Sequence, residues 1–169
     1  MSDRFGISGG GRNAEELFRQ MTGAAPAERA AQGDALLDGH PVEVKRATSV
    51  TLNQVRAVKY LPIVVHYSPT DEWYVIPAHV VIAGVSQKLR GQHTENPFES
   101  ATLSLKKLHA WKIEDPSRLR EATLEAIAAS DEYPELRASM EDVLRESRGL
   151  ADSSLERIRA LLNGLGLGT

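Results

Sequence analysis

Asp34, Glu43 and Lys45 stand in one short stretch, residues 33–45, that reads GDALLDGHPVEVK. Two carboxylates and an amine brought to one place can hold a divalent cation and a water molecule. The stretch has the form of a β-hairpin that would do so. Asp38-Gly39 is a strong two-residue turn signal, because a tight I′ turn needs positive φ at both positions. With that turn Leu37 faces His40, Leu36 faces Pro41, Ala35 faces Val42 and Asp34 faces Glu43. The last pair falls at a non-hydrogen-bonded position, where Cα atoms lie about 4.5 Å apart. Alternation with period two puts Lys45 beside Asp34 and Glu43 on one face. Ala35, Leu37, Val42 and Val44 share the other face and suit a core.

Like charges directly opposite each other destabilise a sheet. A divalent cation would relieve this, and Mg²⁺ takes one or two carboxylates plus water and phosphate oxygens. A lysine two residues on could hold a water or a phosphate oxygen beside the metal, which makes a site for metal-assisted phosphodiester hydrolysis. The plainer alternative is an exposed hairpin face with ordinary charges, and spacing alone does not separate the two.

Gly33-Asp34 followed by Glu43-Val44-Lys45 resembles the PD-(D/E)xK nuclease superfamily, which includes type II restriction endonucleases and Holliday-junction resolvases. Glu43-x-Lys45 matches in full. Gly33 stands where the family has a proline, and Asp38 is an alternative first acid, although the turn has its own use for it. The resemblance covers residues 11 to about 110. It implies an α/β fold with a mixed central β-sheet flanked by helices, and Mg²⁺ as cofactor with Mn²⁺ able to substitute. It also implies Asp34, Glu43 and the Val44 carbonyl as metal ligands, and Lys45 as the group that orients or activates the attacking water. Many relatives carry a glutamate on the helix before the hairpin, often four residues after a glycine. Gly11-x3-Glu15 fits, so Glu15 joins the candidate catalytic residues; its position in a first helical turn is a sufficient alternative account. The expected activity is that of a site-specific endonuclease on double-stranded DNA. A structure-selective resolvase, or a non-catalytic nucleic-acid-binding domain of the same fold, is the alternative.

The composition is compatible with this. The chain has 169 residues, 41% hydrophobic and 25% charged, as expected of one ordinary domain with a real core. There is no cysteine, which excludes disulfides and thiolate metal sites. No apolar leader or long apolar run is present, so a cytoplasmic protein without membrane association is expected. The net charge of −3 argues on its face against a nucleic-acid binder. Its distribution argues the other way. Residues 1–112 hold 13 Lys/Arg against 11 Asp/Glu, whereas residues 113–169 hold 7 against 12. The interval 44–70 contains Lys45, Arg46, Arg56 and Lys59 and no acid.

The elements that must position the hairpin follow from periodicity. Residues 1–12, rich in glycine, are expected to be mobile. Asn13 caps a helix whose apolar face is Ala14, Leu17, Phe18 and Met21. Ser49 or Thr51 caps a second helix through Asn53, Gln54, Val55, Val58 and Tyr60; the resemblance implies that Gln54 and Arg56 on it support the site or touch DNA, and a solvated helix face is the alternative. Residues 61–67 and 72–76 are buried strands, and 78–85 a short helix packing on the sheet. The polar segment 86–100 holds Lys88, Arg90, Gln92 and His93, residue types that read bases in the major groove; a solvated loop is the alternative. His93 with Glu95 lacks the second histidine that a metal site would need. Lys106 and Lys107 form a further basic cluster suited to phosphates. Asp115-Pro116 opens the first of three C-terminal amphipathic helices. The expected organisation is a nuclease core over 13–112, helices over 113–163 that pack on the core or form a homodimer interface, and a frayed tail over 164–169.

Overall fold

The structure, a computed structural model, describes residues 9–29, 33–145 and 152–168. The expected α/β architecture is present. Six strands form a mixed sheet in the order β1 (Ala25–Pro26), β2 (Ala35–Leu37), β3 (His40–Ala47), β5 (Ile63–Tyr67), β6 (Glu72–Ile76) and β8 (Lys112–Ile113). β3 and β5 run parallel, and the other neighbours antiparallel. β4 (Thr51–Val55) and β7 (Ala101–Ser104) form a separate antiparallel pair.

Two apolar clusters sandwich the main sheet. Ala35, Leu37, Val42, Val44, Val64, Trp73 and Val75 face α1 (Gly9–Thr22) and α3 (Leu119–Ser130), through Ala14, Phe18, Leu119, Ala126 and Ile127. Ala47, Ile63, Val65, Tyr74 and Ile76 lie in the other cluster. It is filled by β4, β7, α2 (Ala78–Val85), α4 (Pro134–Arg145) and α5 (Asp152–Gly164). The apolar faces of α4 and α5, with Leu136, Met140, Val143, Ile158 and Leu162 buried, are therefore turned into the core.

The hairpin takes the register that its turn dictates. Ala35 pairs with Val42, Leu36 with Pro41 and Leu37 with His40, and both turn residues have positive φ, Asp38 at 50° and Gly39 at 81°. The ladder stops one pair short of the expectation. Asp34 does not sit opposite Glu43; its N–H donates to the Val42 carbonyl at 2.9 Å. Gly33 (φ 75°) turns the chain there so tightly that a Cβ would stand 2.6 Å from the Val42 oxygen. Glycine at this position thus has a local cause: this approach admits no side chain.

Four elements differ from the sequence-based expectation. α1 starts at Gly9 rather than after Asn13. Packing of Ala14 and Phe18 overrides the poor helix propensity of glycine, which costs about 1 kcal/mol per residue. Residues 9–12 are consequently helical, Glu15 lies beyond the first turn, and residues 1–8 of the expected mobile segment fall outside the described residues. Residues 51–55 are a strand, not a helix. A bulge between Leu52 and Val55, with Gln54 at φ 52°, puts both apolar side chains inward three residues apart. The bulge thereby disguises a period of two as a helical period. Only a 3₁₀ turn, Ala57–Lys59, follows. The alanine-rich stretch 23–32, which reads from sequence as a loop or short helix, contributes the two-residue strand β1. The tail does not fray over 165–168. Leu167 N–H donates to Leu162 O and Gly166 N–H to Asn163 O, with Gly166 at φ 74°, a Schellman closure of α5.

Candidate active site

The phase of the parallel ladder orients the residues of β3. Glu43 N–H donates to Pro62 O at 3.0 Å, so residues 43 and 45 bond to β5, and residue 44 points its N–H and C=O to the β2 side. The Asp34 carboxylate is found there: Val44 N–H donates to Asp34 Oδ2 at 2.8 Å. One Asp34 oxygen is thereby fixed, and the Val44 carbonyl lies on the same side of the strand. Glu43 and Lys45, half-buried, alternate with buried Val42 and Val44 and face the opposite cluster from α1.

Lys45 Nζ donates to the Gln54 carbonyl at 3.2 Å. Burial of the ammonium lowers the Lys45 pKa from the ordinary lysine value, against the raising pull of Glu43 and Asp34, while Lys59 lowers it further. Both acids are thus within electrostatic reach of the amine. An amine shifted in this direction is better matched to holding or exchanging a proton with water near neutral pH.

Sequence reasoning missed Lys59. Its Nζ stands 3.4 Å from Glu43 Oε1 and 3.5 Å from Oε2, both side chains being mostly buried. The 3₁₀ turn after β4 delivers it, and the only signal was the acid-free basic interval that contains it. From sequence alone a metal ion is the one group expected to relieve the acid–acid repulsion. In the structure Lys59 supplies positive charge to Glu43, and Asp34 is displaced from the directly facing position.

The donors at this place are carboxylate and carbonyl oxygens, the ligands that Mg²⁺ takes, and Glu43 already holds a cation in the form of the Lys59 ammonium. Asp34, Glu43 and the Val44 carbonyl are donors of that type, and both acids act on the Lys45 ammonium. Among the described residues no three His, Cys, Asp or Glu side chains gather into a cluster. Glu15 does not make a three-acid group with Asp34 and Glu43. It lies half-buried on α1, which packs on β3 from the opposite face.

A cleft of about 290 Å³ runs from Lys45 between β3 and β4, lined by Arg46, Thr48, Ser49, Thr51 and Asn53 among others. Lys106 and Lys107 are exposed on the 3₁₀ segment Leu105–Trp111, beyond the Thr51 end of β4, where Leu105 N–H donates to Val50 O. At the other end stands the 86–100 segment, an irregular but internally bonded loop. Arg90 and His93 are exposed on it, and Lys88 is half-buried. Gln92 is turned inward: its Oε1 accepts from Gln54 N–H at 2.7 Å, and its Nε2 donates to Asn53 Oδ1 at 3.3 Å. Arg56 Nε donates to Glu99 O at 3.3 Å. Gln54 takes part through its backbone groups, with its side chain exposed.

No helix among the described residues is long and apolar enough to cross a membrane. Comparison with family models, curated proteins and solved structures gave no match.

Proposed function

We propose that this chain is a Mg²⁺-dependent endonuclease acting on double-stranded DNA, with Asp34, Glu43 and Lys45 as its active centre. The observation that carries the reading is the joint placement of the three groups. A carboxylate locked on the Val44 amide and a carboxylate matched by an ammonium both lie within electrostatic reach of a partly desolvated amine, and that amine opens onto a cleft also lined by Arg46. A divalent cation bound there supplies positive charge for the phosphate oxygens and makes water a better nucleophile at neutral pH. Asp34 and Glu43 would hold it, with the Val44 carbonyl available as a further ligand. Lys45, steadied on the Gln54 carbonyl, orients the water that attacks phosphorus and takes part in removing its proton. Lys59, beside Glu43, would add positive charge for the phosphate. Lys106 and Lys107 extend the phosphate track, and Arg90 and His93 are available for bases.

A single site cuts one strand. A two-fold homodimer would cut both strands of a palindrome, and sedimentation of the protein on its DNA tests this.

The decisive experiment pairs cleavage and gel shift on plasmid DNA for the wild type, Glu43→Ala and Lys45→Ala. Wild type should cut with Mg²⁺ or Mn²⁺, stop with a chelator, and bind without cutting in Ca²⁺. Both variants should lose cleavage. Without metal Glu43→Ala should hold or gain DNA affinity, and Lys45→Ala should lose it, because the two remove charges of opposite sign from one face. Discrete fragments identify a sequence-specific enzyme, whereas cutting confined to branched DNA identifies a structure-selective one. Wild-type rates in both variants would remove the hairpin from the chemistry.

A further inference from the structure

Gln54 adopts a left-handed backbone conformation, φ 52°, that side chains other than glycine adopt only under constraint. It sits at the bulge of β4, where the ladder to β7 is interrupted between Leu52 and Val55. The constraint is visible from both sides. Gln54 N–H donates to Gln92 Oε1 at 2.7 Å, and the Gln92 amide nitrogen closes on Asn53 Oδ1 at 3.3 Å. One side-chain amide therefore clamps two successive residues of the bulge. The Gln54 carbonyl, directed by that φ, accepts from Lys45 Nζ at 3.2 Å.

Gln92 is itself delivered from a rigid base. Its N–H donates to Ser100 O at 2.7 Å. A Cβ at the preceding Gly91 would come within 2.6 Å of both the Asn96 and Ser100 carbonyl oxygens. Asn96 is buried and accepts from Phe98 N–H at 3.0 Å. Arg56 Nε, bonded to Glu99 O, joins the same loop to the end of β4 a second time. The exposed Arg90 and His93 flank Gln92 in sequence.

We propose that Gln92 is a positioning residue, holding the Lys45 amine in place through Gln54 and thereby coupling the 86–100 loop to the chemistry. The proposal rests on the nuclease reading of Lys45. It also gives Gln92 a different role from the base reader expected from sequence, since both ends of its amide are engaged within the protein.

Gln92→Met keeps nearly the same volume and removes the acceptor. Gln92→Glu keeps an oxygen for Gln54 N–H. Two readouts are taken on wild type and both variants. The first is single-turnover cleavage in Mg²⁺ beside DNA affinity in Ca²⁺. The second is the rate at which a small amine-acylating reagent labels Lys45, located by mass spectrometry, with neither DNA nor metal present. Gln92→Met should cut about ten- to a hundredfold more slowly with affinity changed less than about twofold, and should label faster at Lys45. Gln92→Glu should move both readouts back toward wild type. Unchanged labelling in Gln92→Met overturns the proposal. So does lost affinity with an unchanged cleavage rate, which would make Gln92 a base reader. Because labelling needs no nuclease activity, a wild type that cuts nothing removes the nuclease reading while labelling still decides the coupling.

Discussion

Glu43 carries its charge on a half-buried sheet face, and the charge that meets it is Lys59, 3.4 Å away. The pair is too long for a strong charge-assisted bond but sheltered enough to escape full screening. On the proposed reading its consequence is competition: a metal ion arriving at Glu43 would have to displace an ammonium. In Lys59→Met the carboxylate is left with less compensation, so denaturant unfolding without metal should show a loss of about 1 kcal/mol. The loss should shrink at saturating Mg²⁺, and Mn²⁺, followed by titration calorimetry without DNA, should bind more tightly than to wild type. A deficit of the same size with and without metal would assign Lys59 to packing. Glu43→Ala, for the same reason, is not expected to gain the stability that relief of carboxylate repulsion alone would give, because it strands Lys59.

The hairpin is the element in which sequence and structure agree most closely, and its one departure is informative. Asp38-Gly39 determines the register because few residue pairs tolerate positive φ twice in succession. From the register follow the faces of Ala35, Leu37, Val42, Val44, Glu43 and Lys45. Local chemistry carries that inference, so it was legible. The bulge at Gln54 was not, because it makes Leu52 and Val55 look helical. The partners that complete the site were not legible either: Lys59 meets Glu43 from 16 residues away, and Gln92 meets Gln54 from 38 residues away. Such contacts leave no periodic trace in a single sequence. Gly33 yields a prediction at this scale. The proline found there in the resembled family cannot adopt φ 75°, since its ring fixes φ near −65°. Gly33→Pro should therefore cost at least about 1–3 kcal/mol and release Asp34 from the Val44 amide. Gly33→Ala should do so less severely, through the clash with the Val42 oxygen. Hydrogen exchange at the Val44 amide reads this out directly. Protection equal to wild type in Gly33→Pro would show that the tight approach at Gly33 is not what aims Asp34.

Across the whole molecule, the acidic C-terminal helices serve the site at a distance rather than standing apart from it. α4 packs on the 3₁₀ turn Ala57–Lys59. Tyr60, which ends that turn at φ 51°, donates its hydroxyl to Ser130 O at 2.7 Å and to Tyr133 O at 3.3 Å. The Arg137 guanidinium lies 4.6 Å from the centre of its ring. The helices thus anchor the residue next to Lys59, and through it the charge on Glu43. This tether has its own pH signature. Burial of the phenol pushes the Tyr60 pKa up to about 12, although Arg137 pulls it down. The folded state therefore binds this proton more tightly than the unfolded chain, whose tyrosine titrates at about 10. The stability contributed by the neutral phenol is whole below about pH 10 and is lost as pH rises through about 12, to a total on the order of 1–2 kcal/mol. The informative quantity is the difference between wild type and Tyr60→Phe, in which the groups common to both cancel. At neutral pH the variant should be less stable by about 1 kcal/mol for the lost hydrogen bond. Between about pH 10 and 12 the gap should close, because only wild type has a phenol at this position to ionise. Denaturant unfolding across that range measures it; a gap that stays constant would show that the Tyr60 hydroxyl does not tie the C-terminal helices to the turn that carries Lys59.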